Sequence, residues 1–280
     1  WPPFSLSEKI VDQIRAITKK LALACGIRGL LNIQYAVRDE HVFVIELNPR
    51  ASRTVPFSSK ATGVSLAKYA SRIMAGEKIS ELRAQGLLPD ENRTVDYYAV
   101  KEAVMPWSRF PGADSILGPE MKSTGEVMGI ARTFPAAYAK TREAVENKLP
   151  EQGSVFISVC DRDKRAIAPV AMALENLGYG IYTTGGTAKT LRAAGIDCTT
   201  VNRISDGHPN VVDLMRDKTV SFIINTPHGH EAHSDGTKMR AEAVSQGITC
   251  VTAMSAATAL IQALAAARKS EPETFALQDL

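Results

Sequence analysis

Two β-prone runs, Leu30–Val37 and Val42–Asn48, flank the polar insert Arg38-Asp-Glu-His. Each carries polar side chains where a packed strand would place apolar ones. In the first, Leu31, Ile33, Tyr35 and Val37 fall on one face, with Asn32 and Gln34 on the other. In the second, Phe43, Ile45 and Leu47 share a face, and Glu46 and Asn48 lie opposite. An antiparallel hairpin puts same-face residues directly across from each other. Pairing Gln34 with Glu46 then pairs Asn32 with Asn48, Ile33 with Leu47, Tyr35 with Ile45 and Val37 with Phe43. That register centres the turn on Glu40 and predicts an odd-length loop, Asp39–His41. A two-residue turn at Asp39–Glu40 would shift the strand by one residue and mix the faces.

The expected result is one carboxylate and three amides on one sheet face, with Glu46 and Asn48 ~7 Å apart along their strand. Such a set suits a hard cation. Magnesium takes oxygen ligands and usually shares itself with substrate phosphates. Arg50 and Arg53 follow at once, and guanidinium groups clamp phosphate or carboxylate oxygens in pairs. The other reading of the same pattern is a solvated outer face, common in antiparallel sheets.

Composition narrows the function classes. At 280 residues, with 45% hydrophobic and 22% charged residues, the chain has the make-up of a soluble globular protein with room for two cores. A net charge of +3 makes no case for nucleic acid. The longest apolar stretch, Ala253–Ala267, is too short for a membrane span and is interrupted by Ser255, Thr258 and Gln262. Trp1 is not an initiator methionine, so the sequence is expected to be a piece of a longer protein. Cys25, Cys160, Cys198 and Cys250 form no CxxC and read as free thiols of a reducing, cytoplasmic setting.

Along the chain, Ser7–Cys25, Val64–Ala75 and Pro135–Asn147 read as helices. Thr94–Val104 reads as a strand, and Met105–Ser123, rich in proline and glycine, as an ordered loop. The polar stretch Lys148–Gly153 is the expected boundary between domains 1–147 and 148–280. Beyond it, short β runs at 155–160, 180–182, 198–201, 220–225 and 249–251 alternate with helical segments at 164–177, 188–194, 211–217, 238–245 and 253–268. Alternation of this kind predicts a three-layer α/β domain with a mainly parallel sheet.

In that half, Thr183-Thr-Gly-Gly-Thr-Ala-Lys follows a strand and opens a helix. Glycines let the backbone close on an anion, and hydroxyls add donors beside the unpaired helix amides. A plain capped strand–helix turn would read the same. Lys164 and Arg203 follow strands and Asn225 ends one, at the carboxyl ends where open α/β sheets bind ligands. His228, His230 and His233 lie within six residues of one another. They could bind zinc or nickel, or simply belong to a polar loop over an anion.

The strings Ile45-Glu-Leu-Asn-Pro-Arg-Ala-Ser-Arg-Thr-Val-Pro-Phe, Arg28-Gly-Leu-Leu-Asn-Ile-Gln-Tyr-Ala-Val and Leu117-Gly-Pro-Glu-Met-Lys-Ser-Thr-Gly-Glu-Val-Met-Gly resemble the second ATP-grasp unit of the carbamoyl-phosphate synthase large chain. The second half resembles the methylglyoxal-synthase-like domain that ends it, and the match runs almost end to end. The resemblance implies a partial ATP-grasp domain, mixing α/β and α+β architecture, followed by a three-layer α/β regulatory domain. It implies ATP as substrate and magnesium or manganese at Gln34, Glu46 and Asn48. Asn32, Arg50 and Arg53 are then active-site residues in phosphorylation of carbamate to carbamoyl phosphate. It further implies a glutaminase small subunit as partner, oligomerisation of the full chain, and service to pyrimidine and arginine biosynthesis.

In the second domain the resemblance assigns a nucleotide effector such as UMP or IMP to Lys164, Thr184, Thr187, Arg203 and Asn225. Arg203 stands where a lysine is common, and Pro227 where the best-known members have threonine. Glu102 and Thr252 match positions that contact ornithine in members activated by it. The family offers no metal at the histidines. Because the upstream lobe lies outside this sequence, the piece alone is expected not to make carbamoyl phosphate. Two other hypotheses compete: a methylglyoxal-synthase-type lyase, with Asp206, His208 or His233 as general base, and a pure ligand-binding regulatory module.

Overall fold

A computed structural model describes residues 1–89, 95–109, 115–116, 123, 125–145, 150–226, 235–269, 273–274 and 276–279. The chain divides into two compact units, Trp1–Ala99 with Glu273–Leu280, and Val100–Pro272.

The first unit runs α1 (Glu8–Ala24), β1 (Asn32–Arg38), β2 (His41–Asn48), α2 (Thr54–Thr62), α3 (Leu66–Met74) and α4 (Ile79–Ala84). Helix α1 stops at Cys25, where the chain turns through Gly26 at φ +61°, a conformation that suits glycine. Strands β1 and β2 form a two-stranded antiparallel sheet. Tyr35 sends its hydroxyl to Thr18 of α1, 2.7 Å away, so α1 covers the Tyr35 face. Asn32 and Gln34, alternating with Tyr35, are on the other face. Helices α2 and α4 were not legible as helices in the sequence. Tyr97 ties this unit together by donating to the Ala61 carbonyl at 2.6 Å.

Strand β3 (Tyr98–Val104) straddles the division. The second unit continues with β4 (Gly125–Ala131), α5 (Phe134–Ala144), β5 (Ser154–Ser158), α6 (Lys164–Asn176), β6 (Gly180–Thr183), α7 (Gly185–Ala193) and β7 (Thr199–Thr200). It ends with α8 (Val211–Arg216), β8 (Phe222–Asn225), α9 (Asp235–Ser245), β9 (Thr249–Val251) and α10 (Met254–Ala267). The predicted α/β alternation holds. Strands β5–β9 make a five-stranded sheet in the order β7-β6-β5-β8-β9, parallel throughout. Alternate residues of one strand feed opposite layers. Val155 and Ile157 join the core under α6, α7 and α10, while Phe156 and Ile223 join the one under α8 and α9.

The segment from Val100 to Ala144 groups with this second unit, so compactness divides the chain earlier than the polar stretch at 148–153 suggested. The reason is packing. Helix α5 lies against α10, and Arg142 on α5 reaches Thr249 in β9. Strand β4, which the sequence reading left out, pairs with β3. It approaches α5 so closely that a Cβ at Gly129 would sit 2.1 Å from the Ala137 carbonyl oxygen.

Candidate functional site

The hairpin delivers the expected polar face by a route the sequence did not reveal. Asn32 pairs with Asn48, Ile33 with Leu47, and Gln34 with Glu46, as the pattern predicts. Beyond that point the register shifts, and Tyr35 pairs with Val44, Ala36 with Phe43, Val37 with Val42 and Arg38 with His41. The expected pairs Tyr35–Ile45 and Val37–Phe43, and the odd-length loop, are therefore corrected. The turn has two residues, Asp39 and Glu40, at φ +49° and +61°. This is the mirror-type geometry that matches strand twist. Ile45 is the extra residue of a bulge that reconciles this turn with the polar pairing. It stands 63% exposed. Phe43 now shares the Gln34 face rather than that of Leu47.

On the polar face Asn48 donates its amide N–H to Glu46 Oε1 at 2.9 Å, which fixes both side chains side by side. Gln34 and Glu46 are exposed, and Asn32 and Asn48 half-buried. Arg50 donates to the Ala51 carbonyl at 3.0 Å, and Arg53 stands immediately before α2. One carboxylate with neutral carbonyl oxygens across two strands is a donor set that fits a hard divalent cation sharing its sphere with phosphate oxygens.

In the second unit a cleft of about 410 Å³ opens beyond the carboxyl ends of the parallel strands. It lies where the strand order reverses between β5 and β8, the switch point at which open α/β sheets take ligands. Lys164, Thr184, Thr187, Arg203 and Asn225 all line it. Thr184 is the N-cap of α7, so the first amides of that helix lie beside its hydroxyl. The buried Thr187 hydroxyl accepts from the Val159 amide at 3.4 Å. Lys164 pairs with Asp161 at 2.5 Å.

Sequence reasoning missed the cation at the back of the cleft. Arg240 is 3% exposed and lines the same wall. It donates to Asn225 Oδ1 at 2.7 Å and to Thr237 Oγ1 at 3.3 Å. Asn225 in turn donates to the Ser158 carbonyl at 2.9 Å. The asparagine thus holds the guanidinium in place. A signal existed: Met239, Arg240 and Ala243 share the buried stripe of α9, and an arginine on such a stripe needs a reason. The predicted start of that helix at Lys238 left Asp235–Thr237 outside it. Asp235 also lines the cleft and accepts from the Ser205 amide and hydroxyl at 3.1 and 2.8 Å. Cys160 donates to Asp163 at 3.1 Å, and that bond holds the Asp163 carboxyl below the usual carboxylate range.

Lys164, Arg203 and Arg240, several hydroxyls, a helix start and two carboxylates make a site for a molecule with an anionic end and a hydroxyl-bearing one. Of the proposed lyase bases, Asp206 and His208 do not line the cleft. His208 bonds Asp213 at 2.7 Å instead. His228, His230, His233 and Pro227 lie outside the described residues.

Glu102 is engaged within the protein. Its Oε2 accepts from Thr141 at 3.0 Å, and its Oε1 takes the guanidinium of Arg142. Thr252 follows β9 directly, half-buried. Burial, and after it the charge of Glu102, pushes the Tyr138 phenol above its ordinary pKa.

Comparison with known proteins agrees with both halves. Residues 2–82 match the family described as carbamoyl-phosphate synthase L chain, ATP binding domain, and residues 166–252 that described as MGS-like domain. The class is thus an ATP-grasp fragment joined to an MGS-like domain. The chain is 46% identical over 282 residues to the carbamoyl phosphate synthase large chain of Pseudomonas putida, covering 100% of this chain and 25% of that one. It is 43% identical over 286 residues to the carbamoyl phosphate synthase large chain, C-terminal section, of Aquifex aeolicus, covering 97% and 53%. A methylglyoxal synthase structure from Elizabethkingia anophelis NUHP1 is similar at 20% identity and a TM-score of 0.35, over 41% of this chain and 79% of that one. The chain belongs to the carbamoyl phosphate synthase large-chain family and corresponds to its carboxyl-terminal part. It spans about a quarter of the first relative's length and about half of the second's.

Proposed function

We propose that this chain supplies part of an ATP-dependent ligase site and the effector-binding domain of a carbamoyl phosphate synthase. Residues 1–147 carry the synthetic part and its connecting segment, and residues 148–280 the regulatory part. The direct cross-strand pairing of Gln34 with Glu46 and Asn32 with Asn48 carries this reading. It gathers the oxygen donors that a metal–nucleotide site needs. Gln34, Glu46 and Asn48 would hold magnesium or manganese, which offsets phosphate charge when bound. Asn32, Arg50 and Arg53 would orient the phosphoryl group and receive its developing charge, so the chain's contribution is positioning and electrostatics. The exposed Val37, Phe43, Val44 and Ile45 suit a hairpin that forms one part of a larger body. A glutaminase small subunit is the proposed partner of the full chain.

In the second unit, Lys164, Thr184, Thr187, Arg203 and Arg240 would take the phosphate of a nucleotide such as UMP or IMP, and Asp235 would accept from a sugar hydroxyl. The test uses the full reading frame with its small subunit. Glu46→Ala should abolish carbamoyl phosphate formation and leave nucleotide binding by the regulatory domain intact. Thr187→Ala should weaken that binding and leave the basal rate. Loss of effector binding in Glu46→Ala, or full activity in it, refutes the assignment.

A further inference from the structure

Two walls of the cleft beside β5 are tied together by one serine. The loop between β7 and α8 brings Arg203 and Ile204 to the cleft, and the first turn of α9 brings Asp235 and Gly236. Ser205, the next loop residue, reaches Asp235 from 30 positions away in the sequence. It donates its backbone N–H at 3.1 Å and its hydroxyl at 2.8 Å, both to Oδ2. Asp206 Oδ1, at 3.4 Å, is the poorer acceptor for that hydroxyl. Among the described residues no hydrogen bond goes to Asp235 Oδ1. The loop keeps its shape by other means. Asp206 donates its amide to the Arg203 carbonyl at 3.0 Å, and Asn202 donates its amide to the Pro209 carbonyl at 3.0 Å and its side chain to the His208 carbonyl at 2.8 Å. The serine contact therefore serves Asp235 more than it serves the loop.

We infer that Ser205 is a positioning residue that aims Asp235 at a hydroxyl of the ligand. Two charge-assisted bonds on Oδ2 set the plane of the carboxylate. Oδ1 is then held in one place on the cleft wall, and a ligand hydroxyl that donates to it need not order the side chain first. The phosphate end is served separately by Lys164, Arg203 and Arg240. Ser205 thus sets how strongly the cleft prefers a phosphate with a hydroxyl-bearing body over one without. This rests on the reading of the cleft as an effector site and adds to it a residue that does not itself line the cleft.

The test is calorimetry on the intact chain at one fixed salt concentration. The probes are UMP, its 2′,3′-dideoxy analogue, which lacks the ribose hydroxyls, and inorganic phosphate. Ser205→Ala should raise the Kd for UMP about three- to tenfold, part of the value of one hydrogen bond to a charged group. It should leave the Kd for the other two probes unchanged. Ser205→Thr keeps the hydroxyl and should bind UMP like the wild type. On an Asp235→Ala background, Ser205→Ala should change nothing further, because the serine acts through that carboxylate. If Ser205→Ala weakens all three probes alike, or none of them, or still weakens UMP when Asp235 is alanine, the inference is overturned while the effector reading stands. A wild type that binds neither UMP nor phosphate overturns that reading, and the inference with it.

Discussion

Arg240→Met separates the two things a buried cation does. Arg240 is 3% exposed at the back of the cleft and holds Asn225 at 2.7 Å. Methionine keeps the length and apolar stem and removes the charge. In the unliganded protein two effects oppose each other. The Asn225 carbonyl oxygen loses a donor, which costs about 1–3 kcal/mol. Removal of a desolvated charge returns a similar amount. The melting temperature should therefore move by no more than a few degrees. With an anion in the cleft there is no such cancellation. One charge-assisted hydrogen bond is lost, about 1.5–3 kcal/mol, so Kd should rise about 10- to 150-fold. Calorimetry with UMP and with inorganic phosphate at one fixed salt concentration reads this directly, and exposed Arg165→Met serves as the control for general loss of charge. If Arg240→Met binds both probes like the wild type while Thr187→Ala does not, the guanidinium only packs, and the charge argument for this wall fails.

Two further expectations concern stability. Gly129→Ala places a methyl group on the Ala137 carbonyl oxygen, a backbone atom that cannot swing away, so β4 and α5 must part. A loss of about 3 kcal/mol, at the upper end for overpacking, should appear in urea unfolding, and an unchanged midpoint would show that the two elements are not tightly seated. Asp213 is held below the ordinary carboxylate range, first by His208 and then by the Asn210 amide at the start of α8. A lowered folded-state pKa means stability that is present above the unfolded value and is lost as pH falls through the folded one. Asp213→Asn should therefore lower the urea midpoint at neutral pH and flatten its fall below about pH 4. An acid limb parallel to that of the wild type would contradict this.

The parallel domain was legible because its strands are short apolar runs separated by helical periods, and burial on both faces leaves little else for such runs to form. Its site was legible for the same reason: Lys164, Thr184, Thr187 and Arg203 follow strands and Asn225 ends one, and topology carries all such positions to one edge. Arg240 and Asp235 escaped because they reach the cleft from α9, a helix whose first turn carries no apolar stripe. The first unit was harder. Helix α2 spans Thr54–Thr62 with Pro56 inside its first turn, where the missing N–H does no harm, yet its mix of small polar residues gives no helical stripe.

The hairpin is the sharpest case. The face pattern demanded one register near Gln34 and Glu46, and the chemistry of Asp39-Glu40 allowed a tight turn that demanded another. Treated as a single ladder, the strands could satisfy one demand and not both, and the loop length was the quantity that had to give. The protein instead places one unpaired residue, Ile45, between the two registers. A bulge adds local twist and redirects side chains, so the oxygen donors are set by pairing at one end while the turn is set by backbone geometry at the other. Deleting Ile45 tests whether that division matters. The strands would then run in one register with Glu46 still opposite Gln34 and Asn48 opposite Asn32, so divalent-metal binding measured on the chain should survive while the second unit melts as before, and its loss would show that the twist added by the bulge, and not the pairing alone, aims the oxygen donors.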